Sequence, residues 1–213
     1  MKHAQKISET LNTMFPHAKA ELDFSNHFEL LIAVVLSAQT TDISVNKVTS
    51  HLFNAYPTPQ ALQNAHQEDV EKLIQSIGLY RHKAKNIIAL SKILVEEHQG
   101  VVPSDRVLLE ALPGVGRKTT NVVLSNAFDI PAFAVDTHVS RIAIRLGIAK
   151  KSDSVLEIEH KLMKTFPHHE WHRLHHQMIF FGRYHCLAKK PKCYQCPLFD
   201  LCKFEDKHAY REA

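Results

Sequence analysis

All four cysteines of the chain lie between residues 186 and 202, as Cys186, Cys193, Cys196 and Cys202, in the spacing C-x6-C-x2-C-x5-C. Nothing else in the sequence limits the fold as much. Four thiols this close along the chain can be drawn to one centre at little loop-closure cost. Lys2, Lys6 and Glu9 interrupt the apolar residues before Phe15, so no secretory leader is read there. A reducing, cytosolic setting is expected, and clustered thiols then argue for a metal centre over disulfides. Zinc and a [4Fe–4S] cluster both accept four thiolates. Structural zinc usually pairs two well-separated C-x2-4-C knuckles. Here a single knuckle is flanked by wider gaps, which favours the cluster and leaves zinc open. Lys189, Lys190 and Lys192 fall on the loop between the first two cysteines. Pinned at both ends, that loop is a cationic knuckle suited to phosphate, or one that offsets the charge of a thiolate-ligated centre.

The rest of the chain reads as helix. Leu11, Met14 and Phe15 close an amphipathic stretch before Pro16, and residues 28–36 are apolar nearly all round, as in a buried helix. Periodic stretches follow at 42–56 and from Thr58-Pro59, an N-cap with proline at the first helical position. Gly78 is read as closing 68–77 and Gly100 as closing 81–98. Ser104 opens a helix to Ala111, and 117–128 follows a tight turn. The stretch 137–146 ends at Gly147, Ser152 caps a helix to Phe166, and 170–184 is the last long one. The only β-branched pairs, at 34–35, 101–102 and 122–123, are too short for a strand pattern. The fold class is therefore all-α. No apolar run approaches the roughly 18–20 residues of a membrane helix, so no membrane partner is expected.

Net charge is +4, but its placement matters more. Residues 81–92 hold four Lys/Arg and no acid, and residues 183–203 hold five against the single Asp200. Such concentration on an otherwise acidic chain fits a polyanion partner or two solvated faces. Leu112-Pro113-Gly114-Val115-Gly116-Arg117-Lys118 joins two of the helical stretches. Two glycines in three residues permit a turn too tight for side chains, and the next helix offers its positive amino end to phosphate. No Walker frame fits and no strand precedes the glycines, so nucleotide-binding fingerprints are excluded. The run looks like the helix-hairpin-helix DNA-binding motif.

Lys118 falls in the first turn of the following helix. A positive charge there opposes the helix dipole, so Lys118 reads either as an amine nucleophile or as a solvated lysine that contacts phosphate. Asp136 follows an apolar run and precedes Thr137, as a capping residue or a functional carboxylate. The helix after Lys118 carries the chain roughly 16 Å away. The segment 129–135 can span about 23 Å, enough to return.

Five stretches together, LSAQTTD (Leu36–Asp42), GLYRHKAKNI (Gly78–Ile87), LPGVGRKTTNVV (Leu112–Val123), VDTHVSR (Val135–Arg141) and the cysteine run, resemble the endonuclease III family. These are helix-hairpin-helix base-excision DNA glycosylases with lyase activity, and the likeness runs over nearly the whole chain. It implies two helical lobes with a DNA cleft between them. One would be a central six-helix-barrel-like domain at 21–131 that contains the hairpin. The other would be a cluster domain of 1–20 plus 132–213. It implies Lys118 as nucleophile, Asp136 as its partner, and Cys186, Cys193, Cys196 and Cys202 as ligands of a [4Fe–4S] cluster. Gln39 would fill the gap left by an extruded base, and Leu79 would wedge the opposite strand. His138, Gly114, Gly116, Arg117, Lys189, Lys190 and Lys192 would contact DNA. The implied substrate is double-stranded DNA with damaged bases, chiefly oxidised pyrimidines, or abasic sites. It would be handled by a monomer in the nucleoid-containing cytoplasm.

Relatives in the same superfamily fit less well. Adenine glycosylases lack the lysine and place a glutamate in the segment matching 28–39, where the only acid is Glu29, too early to match. They also carry a further carboxy-terminal domain, for which the chain leaves no room. Thymine-mismatch enzymes replace the lysine by tyrosine. An inactive helix-hairpin-helix DNA-binding protein and an electron carrier are the rival classes. Sixteen histidines predict DNA affinity that rises below neutral pH. His168, His172 and His176 share a helix face near Trp171, which is read as composition in preference to a zinc site. Phe180, Phe181 and Tyr184 are expected to pack the cluster domain.

Overall fold

The computed structural model describes residues 2–210. Among them the regular structure is helical and there is no strand. In chain order the helices are α1 (Lys2–Met14), α2 (His27–Leu36), α3 (Asp42–Ala55), α4 (Pro59–Gln63), α5 (Gln67–Ile74), α6 (Tyr80–His98), α7 (Arg106–Glu110), α8 (Arg117–Ala127), α9 (Thr137–Arg145), α10 (Val155–Thr165) and α11 (Trp171–Phe180). The chain divides into two compact units, Glu21–Ile130 and Met1–Ala20 with Pro131–Ala213.

In the unit 21–130, α2 is the central helix, with eight of its ten residues buried. That follows from its composition: a helix apolar on every side is stable only when surrounded. α3, α6 and α8 pack around it. Its start is fixed by Asn26, whose Oδ1 accepts from the Glu29 N–H at 2.9 Å, while Glu29 Oε2 accepts from the Ser25 N–H at 2.7 Å. Some ends differ from the sequence reading. Asp105, not Ser104, caps α7, because its carboxylate Oδ1 takes both the Val107 and Leu108 N–H groups. α5 stops at Ile74, before Gly78. α6 closes on two left-handed residues, Gln99 at φ 56° and the expected Gly100 at φ 77°, which donates to Leu94 O at 2.7 Å.

In the other unit, α1 lies on α11. Ile7 and Leu11 are fully buried there. Arg173 donates to Ser8 Oγ and Glu170 Oε1, and Gln177 donates to Asn12 Oδ1 and Phe15 O. Ser154, not Ser152, caps α10, because only Ser154 has a glutamate three residues on to complete a capping box. The last predicted helix is not continuous: after α11 the chain tightens into a π-helical turn, Phe181–His185, ending with Cys186 N–H donating to Phe181 O at 2.7 Å. A π turn rotates the chain relative to an α-helix, and this one delivers Cys186.

Burial, then His175 and His172, holds His176 down to a pKa of about 2, far below its ordinary 6.5. Between those values the unfolded chain binds a proton that the folded chain refuses. The stability is therefore complete above pH 6.5 and is lost as pH falls below it. The loss is about 1.4 kcal/mol between pH 7.5 and 5.5. Urea unfolding of a His176→Leu variant should show that much less acid sensitivity than the parent. Equal pH slopes in the two proteins would refute the assignment. Burial holds His138 and His185 below their ordinary values as well.

Candidate functional site

The hairpin is built on Leu112 and Val115, both buried, which anchor the turn from below. Val115 N–H donates to Leu112 O at 3.0 Å. Arg106 Nη2 donates to Asn121 Oδ1 at 2.6 Å and ties α7 to α8. The two glycines differ in what they do. Gly114 sits at φ 79°, and a Cβ there would lie 2.9 Å from Asn86 Nδ2. Gly116 has ordinary extended angles and open space where a Cβ would go. The fold requires glycine only at 114. Gly114→Ala should cost about 1–3 kcal/mol of stability. Gly116→Ala should change stability by less than about 0.5 kcal/mol, and any loss of DNA affinity would then report how closely phosphate approaches. Thermal melts and filter binding of both variants test this, and a reversed stability order would overturn it.

Gly116 is the N-cap of α8, with no side-chain cap bond. The helix therefore presents its amino end without a capping side chain, the arrangement that binds phosphate. Lys118 is exposed in the first turn of this helix, and Arg117 stands beside it.

Gln39 and Leu79 are both exposed, and both adopt left-handed backbone angles, φ 54° and 58°. Leu79 is an apolar side chain 62% exposed at the start of α6. Non-glycine residues in this region are strained, and such strain gathers at ligand-binding positions. Lys83, which the sequence reading counted as surface charge, is only 5% exposed. One helical turn beyond Leu79, it reaches back so that Nζ donates to Thr40 Oγ1 at 2.8 Å, next to Gln39. Burial holds its ammonium below the usual lysine range. Lys83 thereby links the two strained loops. No sequence signal separates it from its exposed neighbours.

In the other unit, Asp136 caps α9: Oδ1 accepts from Val139 N–H at 2.8 Å. One carboxylate oxygen is thus committed, and the second is left for another partner. His138 Nδ1 pairs with Arg141 Nη2 at 3.1 Å, so the imidazole proton is assigned to Nε2. Burial, opposed by Asp136, holds this ring below its ordinary value. Arg141 also donates to Gly182 O at 2.8 Å and Cys186 O at 3.2 Å. Gly182 is a close approach: a Cβ there would meet His138 Cβ at 2.9 Å.

The four cysteines line a single cavity together with Arg145, His185, Lys192, Phe181 and Phe204. None is in a disulfide. No three His, Cys, Asp or Glu among the described residues could hold a single metal ion. Four thiols that line one cavity fit a four-thiolate centre such as a [4Fe–4S] cluster, in which each iron takes one thiolate. Burial pushes the Cys186, Cys193 and Cys196 thiols up, Cys196 to about 11. Their ionisation in this setting calls for the positive charge of bound iron.

Arg145, 8% exposed, fastens the entry to the loop. It donates to Cys186 Sγ at 3.2 Å, Leu187 O at 2.8 Å and Ala188 O at 3.3 Å, and it covers the Phe204 ring at 3.9 Å. Nothing in the sequence distinguishes it from a surface arginine. Lys189, Lys190 and Lys192 are exposed, with Lys190 left-handed at φ 52°. Phe181 is buried beside the cysteines as expected, while Tyr184 is about half exposed. Lys118 belongs to one compact unit and Asp136, His138 and the cysteines to the other.

Known proteins match this arrangement. The profile of the HhH-GPD superfamily of base-excision DNA repair proteins matches residues 32–168, and that of the iron–sulfur binding domain of endonuclease III matches residues 186–202. Endonuclease III of Bacillus subtilis is 53% identical over 203 residues, covering 95% of this chain and 93% of its own. A trapped endonuclease III–DNA covalent intermediate superposes with a TM-score of 0.92 at 54% identity, over 97% of this chain and 98% of that one. A non-covalent endonuclease III–DNA complex gives 0.93 at 52% identity, over 99% of each chain.

Proposed function

Because the chain belongs to the endonuclease III family of the HhH-GPD superfamily, a family of base-excision DNA glycosylases with AP lyase activity that binds DNA, we propose that Lys118 is its nucleophile and Asp136 the carboxylate that serves it. The observation that carries this reading is the placement of Lys118. It is exposed one step inside the uncapped amino end of α8, an arrangement suited to a phosphate with an amine beside it. The relative trapped as a covalent DNA intermediate supports a covalent route.

In the proposed reaction a damaged base is flipped out of the stack, at a cost of a few kcal/mol that is lower for a poorly pairing lesion. Gln39 occupies the vacated space and Leu79 props the opposite strand. Both side chains are exposed in the structure. The lone pair of Lys118 Nζ attacks the sugar C1′, the bond from C1′ to the base breaks, and the base leaves with that electron pair and a proton. Asp136 accepts a proton from the amine or stabilises positive charge on the sugar. Ring opening gives an iminium between Nζ and C1′. Loss of a C2′ proton then expels the 3′ phosphate oxygen by β-elimination, and the strand is cut 3′ to the site.

Cys186, Cys193, Cys196 and Cys202 would hold the [4Fe–4S] cluster, and their ligation would keep the loop bearing Lys189, Lys190 and Lys192 in one shape. Those lysines, with Gly114, Gly116, Arg117 and His138, contact the duplex. The substrate is proposed to be duplex DNA carrying oxidised pyrimidines or abasic sites, acted on by a monomer in the nucleoid-containing cytoplasm. Among the described residues no helix is long and apolar enough to cross a membrane.

Single-turnover assays on duplexes bearing different lesions test this, run with and without borohydride. Oxidised pyrimidines should be released and the strand nicked, with a covalent adduct in borohydride. Binding without release or nicking would instead favour an inactive DNA-binding protein.

A further inference from the structure

We propose that His185 donates a hydrogen bond from Nε2 to a sulfur of the [4Fe–4S] cluster and thereby raises the cluster's reduction potential. The inference rests on the cluster being held by the four cysteines and is independent of the roles given to Lys118 and Asp136.

His185 is 7% exposed and lines the cavity that the four cysteines share. Its ring is stacked on Phe181, with centroids 5.1 Å apart and planes 20° from parallel. Its carbonyl accepts from Lys192 N–H at 3.1 Å, so both sides of the residue are pinned. Against that fixed background Nε2 is buried and has no hydrogen-bond partner in the protein. Leaving such a group unpaired costs about 1–3 kcal/mol. Native proteins rarely carry one without an absent partner that completes it. The cavity supplies the place for that partner, and the cluster's sulfurs are acceptors with no donors of their own. Two other sulfurs already receive protein donors: Cys186 Sγ from Arg145 at 3.2 Å and Cys202 Sγ from Phe204 N–H at 3.4 Å. His185 adds a third donor to the same cavity.

Hydrogen bonds to cluster sulfur withdraw electron density and favour the more electron-rich oxidation level. The direction of the effect follows from this. Removing the donor should shift the potential to a more negative value, and a side chain that restores an N–H should shift it back.

His185→Phe keeps a ring to stack on Phe181 and deletes the donor, while His185→Gln supplies an N–H from a different shape. The purified holoproteins would be compared by film voltammetry and by pulsed EPR of the paramagnetic cluster after exchange into deuterated water. Iron content would be measured on the same samples. The expected result is full iron in all three, a more negative potential in His185→Phe and a partial return in His185→Gln. The parent should show an exchangeable proton coupled to the cluster that is missing in His185→Phe. A merely structural role would not move that proton signal. Equal potentials and an unchanged signal in His185→Phe, at full iron content, would overturn the proposal. A parent protein purified without iron would overturn it together with the cofactor assignment.

Discussion

Lys118→Ala is expected to abolish borohydride capture of abasic DNA and to lower strand nicking by at least about 10³-fold, the scale on which enzymes lose rate when their nucleophile is removed. The fold should not change. Lys118 is exposed and makes none of the hydrogen bonds that shape the hairpin, which depends on Leu112, Val115, Gly114 and Asn86. Binding to undamaged duplex should persist, weakened by no more than a single phosphate interaction. The companion variant is Asp136→Asn. An amide oxygen still accepts from the Val139 N–H that Asp136 Oδ1 now holds, so the α9 cap survives and only the charge is removed. Base release should fall about 10²-fold or more with an unchanged melting temperature. Nicking at the parental rate in Lys118→Ala would remove the nucleophile assignment. A melting temperature that falls in step with the rate in Asp136→Asn would leave that residue as a cap.

Cys186→Ala should empty the cluster site and release the segment that follows it. Between residues 186 and 202 only Pro191, Leu198 and the cysteines Cys186 and Cys193 are buried. The hydrogen bonds there are short-range turns such as Cys196 N–H to Cys193 O and Leu201 N–H to Leu198 O. So little buried apolar surface cannot repay the entropy of ordering the loop, and ligation must supply the difference. Loss of iron and visible absorbance, with proteolysis confined to this segment, is the expected outcome. DNA binding should become less salt-sensitive, because Lys189, Lys190 and Lys192 lose their fixed positions. The slope of log K against log salt should drop by about 0.9 for each phosphate that these lysines no longer neutralise. A protease-resistant loop in the iron-free variant would show that the protein alone holds it.

The local chemistry of the chain was readable where it is short-range. Residues 28–36 announced a helix buried on all sides, and Thr58-Pro59 announced a helix start. The spacing of four cysteines announced a metal centre. Ends were misread where two capping side chains stand close together, as at Ser152 and Ser154. The choice there turned on which had Glu157 in reach. The π turn at 181–185 could not be read, since its residues suit an α-helix and only the demands of packing Gly182 against His138 and placing Cys186 distinguish the two.

Lys83, Arg145 and His185 have no signature at all, because the alphabet of a sequence does not say which lysine, arginine or histidine is turned inward. From the sequence alone came the helical class, the hairpin, the quartet of thiols and the candidate amine and carboxylate. All of these follow from residue type and spacing within a few turns of chain. Tertiary structure alone decided that Arg145 grips Cys186, that Lys83 reaches Thr40 across 43 residues of chain, and that His185 faces a cavity with its Nε2 unpaired. Those outcomes depend on burial, and burial is a property of elements packed together, not of any one of them.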